Sequence, residues 1–121
     1  MSDAGSAPEV DCLFCKIVAG DVPADVVHES DRTVAFRDVN PQAPTHVLVI
    51  PRRHEPDLAA LVEADAEDVV AIGKAVADIA LSEGLGEGYR VVFNTGAKAS
   101  QSVFHCHAHV LGGRELGWPP G

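Results

Sequence analysis

Three histidines alternate with small or apolar residues in Val103-Phe104-His105-Cys106-His107-Ala108-His109-Val110-Leu111, and this alternation constrains the chain more than any other feature. On a strand, residues two apart share a face. The three imidazoles then line one side, while Cys106, Ala108 and Val110 line the other. On a helix, His107 would point away from its two partners. The apolar flanks and Gly112-Gly113 after Leu111 favour a strand, expected over Ser102–Leu111. Three imidazoles on one face are costly to bury without partners. They are separately satisfied polar groups, a metal site made of all three, or a nucleophile flanked by two helpers. At about 3.3 Å per residue the outer rings stand roughly 13 Å apart, too far for one ion to collect all three. A neutral imidazole, with an ordinary pKa of about 6.5, keeps a lone pair at pH 7 and is a covalent catalyst suited to phosphoryl chemistry. Asn94, Ser102 and the backbone of the Thr95–Gln101 loop supply neutral donors nearby in sequence.

The rest of the chain supplies a sheet around that strand. Val26–Glu29 and Thr33–Arg37 read as a hairpin joined by Ser30-Asp31-Arg32. Thr45–Pro51 is short and rich in β-branched residues, which predicts a buried strand, and Tyr89–Asn94 is a further strand. Asp11 is the expected cap of a short helix from Cys12 to Ala19, ended by Gly20. Ala64–Glu83 is the long helix: Val69, Ile72, Val76, Ile79 and Ala80 form one apolar stripe, and Gly84 stops it. Asp65, Glu67 and Asp68 crowd its first turn, where the helix dipole favours negative charge. The expected class is α+β, with about five mostly antiparallel strands, one long helix and one or two short ones. Residues 1–10 are expected to be a flexible tail, and residues 11–121 a single domain.

Composition narrows the partners. The chain has 121 residues, of which 46% are hydrophobic, enough for one core. A net charge of −9 disfavours a nucleic-acid partner, although a local set of donors can still hold one phosphate. No apolar run is long enough for a bilayer, so no membrane partner is expected. Met1–Val10 lacks a basic-then-apolar export pattern, so the expected address is the cytoplasm, where Cys12, Cys15 and Cys106 stay reduced. Cys12-Leu13-Phe14-Cys15 has metal-ligand spacing. Free structural cysteines and redox chemistry are the alternatives, the latter without the βαβ context it needs.

The sequence resembles the histidine-triad nucleotide-binding proteins, the Hint branch of the HIT superfamily. The likeness is carried by His105 through Leu111, Leu13–Ile17, Ala35–Val39, Pro41–His46, Gln101–Val103, Leu111–Arg114 and the ending Trp118-Pro119-Pro120-Gly121. It implies a hydrolase, commonly a purine-nucleoside phosphoramidase, acting on AMP or GMP conjugates through a nucleotidyl-histidine intermediate. By resemblance His107 is the nucleophile. His109, Asn94, Ser102 and the adjoining Gln101 lie at the phosphate, and Ser102 and His46 near the leaving group. Asp38 matches the acid that binds the ribose; as a residue alone it is equally a turn cap before Asn40-Pro41. Leu13, Phe14, Ile17, Val22, Val39 and Leu48 match the apolar clamp on the base, with ordinary core packing as the alternative. The likeness also implies a homodimer, with the long helix and the Tyr89–Asn94 strand at the interface and Trp118 reaching toward the partner's site. Bacterial members that are similar pair the two cysteines with histidines, here His54 and His105, in a closed structural zinc site. No catalytic cofactor is implied. A binding protein with little turnover and a dinucleoside polyphosphate hydrolase remain as alternatives. Ala99-Ser100 stands where the family usually has a glycine, and Cys106 is smaller than usual.

Overall fold

The computed structural model describes residue 9 and residues 11–121. The expected 1–10 tail therefore falls outside the described residues except at Glu9. Five strands form one sheet: β1 (Val26–Glu29), β2 (Thr33–Arg37), β3 (Thr45–Pro51), β4 (Tyr89–Val92) and β5 (Ala108–Gly112). Their order is β1-β2-β3-β5-β4, and every pairing is antiparallel. Three helices accompany them: α1 (Leu13–Ala19), α2 (Leu58–Ala64) and α3 (Ala66–Ser82). The α+β class and the five-strand count agree with the sequence expectation.

β3 sits at the centre and is buried along its whole length. Its period of two divides the core. Val47 and Val49 join Ala35, Ala108 and Val110 under the α3 stripe of Ile72, Ala75, Val76 and Ile79. Leu48 and Ile50 join Val34, Phe36 and Phe14 on the opposite face, where α1 packs through Ile17 and Val18. Cys106 falls on the α3 side, as the alternation requires.

Several boundaries differ from expectation; α3 ends at Ser82 and β5 at Gly112, each one residue from the expected end. β5 starts at Ala108, so His105 and His107 precede the strand. The 102–107 segment satisfies its backbone elsewhere: Cys106 N donates to the Glu55 carbonyl at 2.7 Å, and the Gln101 side-chain amide donates to the Val103 carbonyl at 3.1 Å. β4 stops at Val92. Cys12, rather than Asp11, caps α1, with its sulfur accepting from Cys15 N. The long helix begins at Ala66 because Asp65 is extended (φ −165°, ψ 103°) and caps it, and α2, which periodicity did not reveal, fills the segment before that corner.

Ion pairs fix the edges of the site. Arg32 reaches Asp65 and the buried Asp68, both at 2.8 Å, while Arg53 Nε meets Asp68 at 3.1 Å. Arg53 directly precedes His54, so the α3 N-terminus helps place that histidine. Asp68, expected to serve the helix dipole, serves this network. Arg37, next to Asp38, makes a two-bond fork on Glu83 at 3.0 and 2.9 Å. That guanidinium holds the Glu83 carboxyl below its ordinary value.

Candidate active site and metal centre

Each histidine of the run is held by a different partner, and the partner decides which nitrogen is offered. His105 Nε2 lies 2.8 Å from the Pro51 carbonyl. A carbonyl only accepts, so Nε2 carries the proton and Nδ1 keeps the lone pair. His107 is held the other way. Its Nδ1 lies 2.8 Å from the His105 carbonyl, which puts the proton on Nδ1 and the lone pair on Nε2. Burial lowers the His107 pKa, partly offset by the His105 carbonyl and by Asp38, so the ring is neutral at pH 7.

His109 belongs to a third arrangement. The Gln42 backbone N–H donates to His46 Nδ1 at 3.0 Å, so neutral His46 carries its proton on Nε2. That proton points to His109 Nδ1 at 2.9 Å, with Asp38 Oδ2 at 3.4 Å. Neutral His109 is then left with Nε2–H as a donor. The contact follows from register: β3 pairs His46 with Leu111 and Leu48 with His109, so the two histidines are diagonal neighbours on one face. Burial pushes His109 down to about 4, helped by His107 and His46, and burial also lowers His46 against the pull of Asp38. Asp38, His46 and His109 offer ligand atoms within 4.8 Å of one another. The Gln42 donor nevertheless occupies one lone pair of His46, which makes the trio a hydrogen-bonded chain rather than a cation site.

A cleft of about 620 Å³ opens on this face. His107, His109, Ser102 and Asp38 line it together with Leu13, Phe14, Ile17, Val22, Val39 and Leu48, so the structure brings these ten expected residues to one place. The Phe14 ring meets His107 edge-on at 5.1 Å between centroids. Asp38 both lines the cleft and caps a turn, since its Oδ1 accepts from Asn40 N at 2.9 Å. Four expected residues lie outside the lining. His46 stands behind His109. Gln101 is buried, accepting from Gly96 N at 2.8 Å and donating to the Pro56 carbonyl at 2.7 Å, so it braces the loop around the short 3-10 turn Ala97–Ala99. Asn94 lies two residues beyond β4. Trp118 is 83% exposed on the C-terminal segment. Pro23, Ala24 and Asp25 also line the cleft without having been expected, and no motif in the sequence marks them; Arg37 lines it too, from within the Ala35–Val39 motif.

The second cluster lies at the other end of the run. Cys12, Cys15, His54 and His105 present four donor atoms within 4.8 Å of one another. A tetrahedral zinc with ordinary bond lengths would space two ring nitrogens about 3.4 Å apart and a sulfur and a nitrogen about 3.6 Å apart. The structure has 3.2 Å between the His54 and His105 Nδ1 atoms. It has 3.5 Å from Cys12 Sγ to His105 Nδ1, and 3.3 and 3.6 Å from Cys15 Sγ to His54 and His105. The Pro51 carbonyl turns His105 Nδ1 toward the sulfurs, as an outer partner of a metal-bound histidine does. Two backbone donors, Cys15 N on Cys12 Sγ and Glu9 N on Cys15 Sγ, supply thiolate-stabilising contacts. Burial raises the Cys15 thiol above its ordinary value, an effect that a bound divalent cation reverses. These four residues fit a closed structural zinc site. His54, 39 residues after Cys15 in sequence, is the ligand that spacing alone could not have selected.

Fold and site together define a family. The HIT domain matches residues 19–116, and the chain belongs to the HIT family. A 14 kDa zinc-binding protein of Zea mays is 45% identical over 112 residues, covering 90% of this chain and 87% of the relative. A crystal structure of a HIT family hydrolase from Legionella pneumophila superposes with a TM-score of 0.87 at 47% identity, covering 92% of this chain and all of that one. The histidine triad nucleotide-binding protein of Candida albicans superposes with a TM-score of 0.79 at 32% identity, covering 90% and 83%.

Proposed function

We propose that the protein is a nucleotide hydrolase that cleaves the bond at the α-phosphate of purine nucleoside phosphoramidates or related nucleotidyl conjugates, releasing the nucleoside monophosphate. The carrying observation is the 2.8 Å bond from His107 Nδ1 to the His105 carbonyl, which leaves the Nε2 lone pair on a neutral ring lining the cleft. The likeness to the Legionella HIT family hydrolase and the Candida histidine triad nucleotide-binding protein supports the same reading.

In the first step His107 Nε2 attacks phosphorus. The phosphorus–nitrogen bond breaks, its electron pair leaves with the nitrogen, and that nitrogen takes up a proton from solvent through the Ser102 hydroxyl. The nucleotidylated ring, still protonated on Nδ1, is now cationic, and the His105 carbonyl and Asp38 favour that charge. His109 Nε2–H donates to a phosphate oxygen, with its orientation fixed by His46 and Gln42. In the second step water attacks phosphorus and gives up a proton to solvent, the phosphorus–Nε2 bond breaks, and its pair returns to His107. Asp38 accepts the ribose hydroxyls, and Phe14, Ile17 and Leu48 flank the base, which needs no charge.

Zinc, which the Zea mays relative binds by name, suits Cys12, Cys15, His54 and His105 here. Bound there, it ties α1 to the segment before β5 and takes no part in the hydrolysis. The reading extends to residues 11–121 as one domain, to a cytoplasmic address, and to a homodimer formed along β4, an edge strand that exposes Tyr89 and Val91. Incubation with adenosine 5′-phosphoramidate, followed by intact mass at short times, is the test. A transient adduct of one nucleotidyl group and release of AMP are expected, both absent from His107→Ala. Tight AMP binding without any turnover would point instead to a binding protein.

A further inference from the structure

A second groove, of about 600 Å³, opens beside the catalytic cleft. It shares Leu13, Ser102 and Val103 with that cleft, so the two cavities meet at Ser102. His107 and Asp38 line only the first. Apart from the metal ligand His54, the ionisable side chains of the second groove are Glu9, Asp11 and Glu55 with Cys12, and neither lysine nor arginine lines it. Glu55 is the informative one. It is only 8% exposed, yet among the described residues its carboxylate has no hydrogen-bonding or ionic partner; only its backbone carbonyl is engaged, by Cys106 N. Its carboxylate oxygens are not sealed off, so the groove is where a cationic partner can reach them. Phe104, 50% exposed, and Leu13 add an apolar wall.

We propose that this groove receives the leaving group, and that it selects conjugates whose departing amine bears a second, cationic group on an apolar spacer. The proposal rests on the α-phosphate reading given above. In-line displacement sends the departing group away from the attacking nitrogen. With the nucleotide in the first cleft and phosphorus near His107, the exit lies past Ser102 into the second groove. There the departing amine keeps the electron pair of the broken phosphorus–nitrogen bond and is protonated. The spacer lies against Phe104 and Leu13, and the distal ammonium meets Glu55 and Asp11. An anionic leaving group, such as the polyphosphate of a dinucleotide, meets three carboxylates and neither lysine nor arginine among the lining residues.

Three adenosine 5′-phosphoramidates of matched length test this: those of cadaverine, hexylamine and aminohexanoate. For the wild-type protein kcat/KM is expected to favour the cadaverine conjugate over the hexylamine one by about tenfold, and to disfavour the aminohexanoate one by a similar factor. Added salt should shrink both ratios. Glu55→Gln, and separately the exposed Asp11→Asn, should each move the cadaverine-to-hexylamine ratio toward one; the second keeps the test open should the first misfold. Equal kcat/KM on all three conjugates, still dependent on His107, overturns the subsite and leaves the α-phosphate reading intact. A preference that survives both substitutions also overturns it. No turnover of any conjugate overturns both.

Discussion

His105 and His107 are two residues apart, share a face and are both buried, yet they are equipped for opposite tasks. The Pro51 carbonyl holds His105 at Nε2, so Nδ1 faces two thiols and a second imidazole. The His105 carbonyl holds His107 at Nδ1, so Nε2 faces the cleft. The contrast teaches that residue type and burial do not assign a histidine its role here. The carbonyl that takes its proton does. The first histidine of the run turns to the metal centre, and the middle one is left with a free lone pair facing the cleft.

The sharpest way to break that contrast is substitution at each end. His107→Ala should lower turnover of adenosine phosphoramidate by about a thousandfold or more, with zinc content and Tm near those of the wild type. Release of AMP at comparable rates by both proteins would remove the nucleophile from its place. Cys15→Ser should do the reverse. It should lose zinc by elemental analysis and cost about 3 kcal/mol of stability, or roughly 10 °C in Tm, with a far smaller change in rate per folded molecule. A metal-free wild-type protein that melts no lower than a zinc-loaded one would show that the metal centre carries no load.

Acid should separate the buried donor chain from the rest. Burial pushes His109 down to about 4 from an ordinary 6.5. Between those values the unfolded chain binds more protons than the folded one, so stability rises with pH across that window and is lost as pH falls from 6.5 through about 4. Urea midpoints at pH 7, 5.5 and 4.5 should fall in that order, and His109→Gln should flatten the dependence. The smallest effect is expected at Ser100, which sits at φ +71°. Ser100→Gly should gain about 0.5 kcal/mol, because relief of the left-handed side-chain cost is partly offset by glycine's greater unfolded freedom. A loss of stability there would mean that the serine side chain has an anchoring role.

Much of the framework was legible in the sequence because it depends on local pattern. β1, β2 and β3 fall on their expected spans, since β-branched runs between turn residues leave few alternatives. The facing of the histidines was also legible, because a period of two persists through 103–107 even without strand pairing. α2 was not, being seven residues with one fully buried side chain, Leu61, to mark a stripe. The ten cleft-lining residues followed from family likeness, and the proton positions did not, because they are set by main-chain carbonyls and a main-chain N–H from distant segments. The acidic groove was equally hidden: Glu9, Asp11, Glu55 and Phe104 share no motif and meet only once the chain is folded.

One consequence concerns how such a chain can diverge. The group that orients His107, the proposed nucleophile, is the peptide oxygen of residue 105, while the imidazole of the same residue belongs to the metal centre. Peptide oxygens are common to all twenty amino acids. A descendant that discarded its cysteines could therefore exchange His105 for a different side chain, and the reactive nitrogen two positions on would inherit the same proton arrangement so long as the bend of the chain was kept.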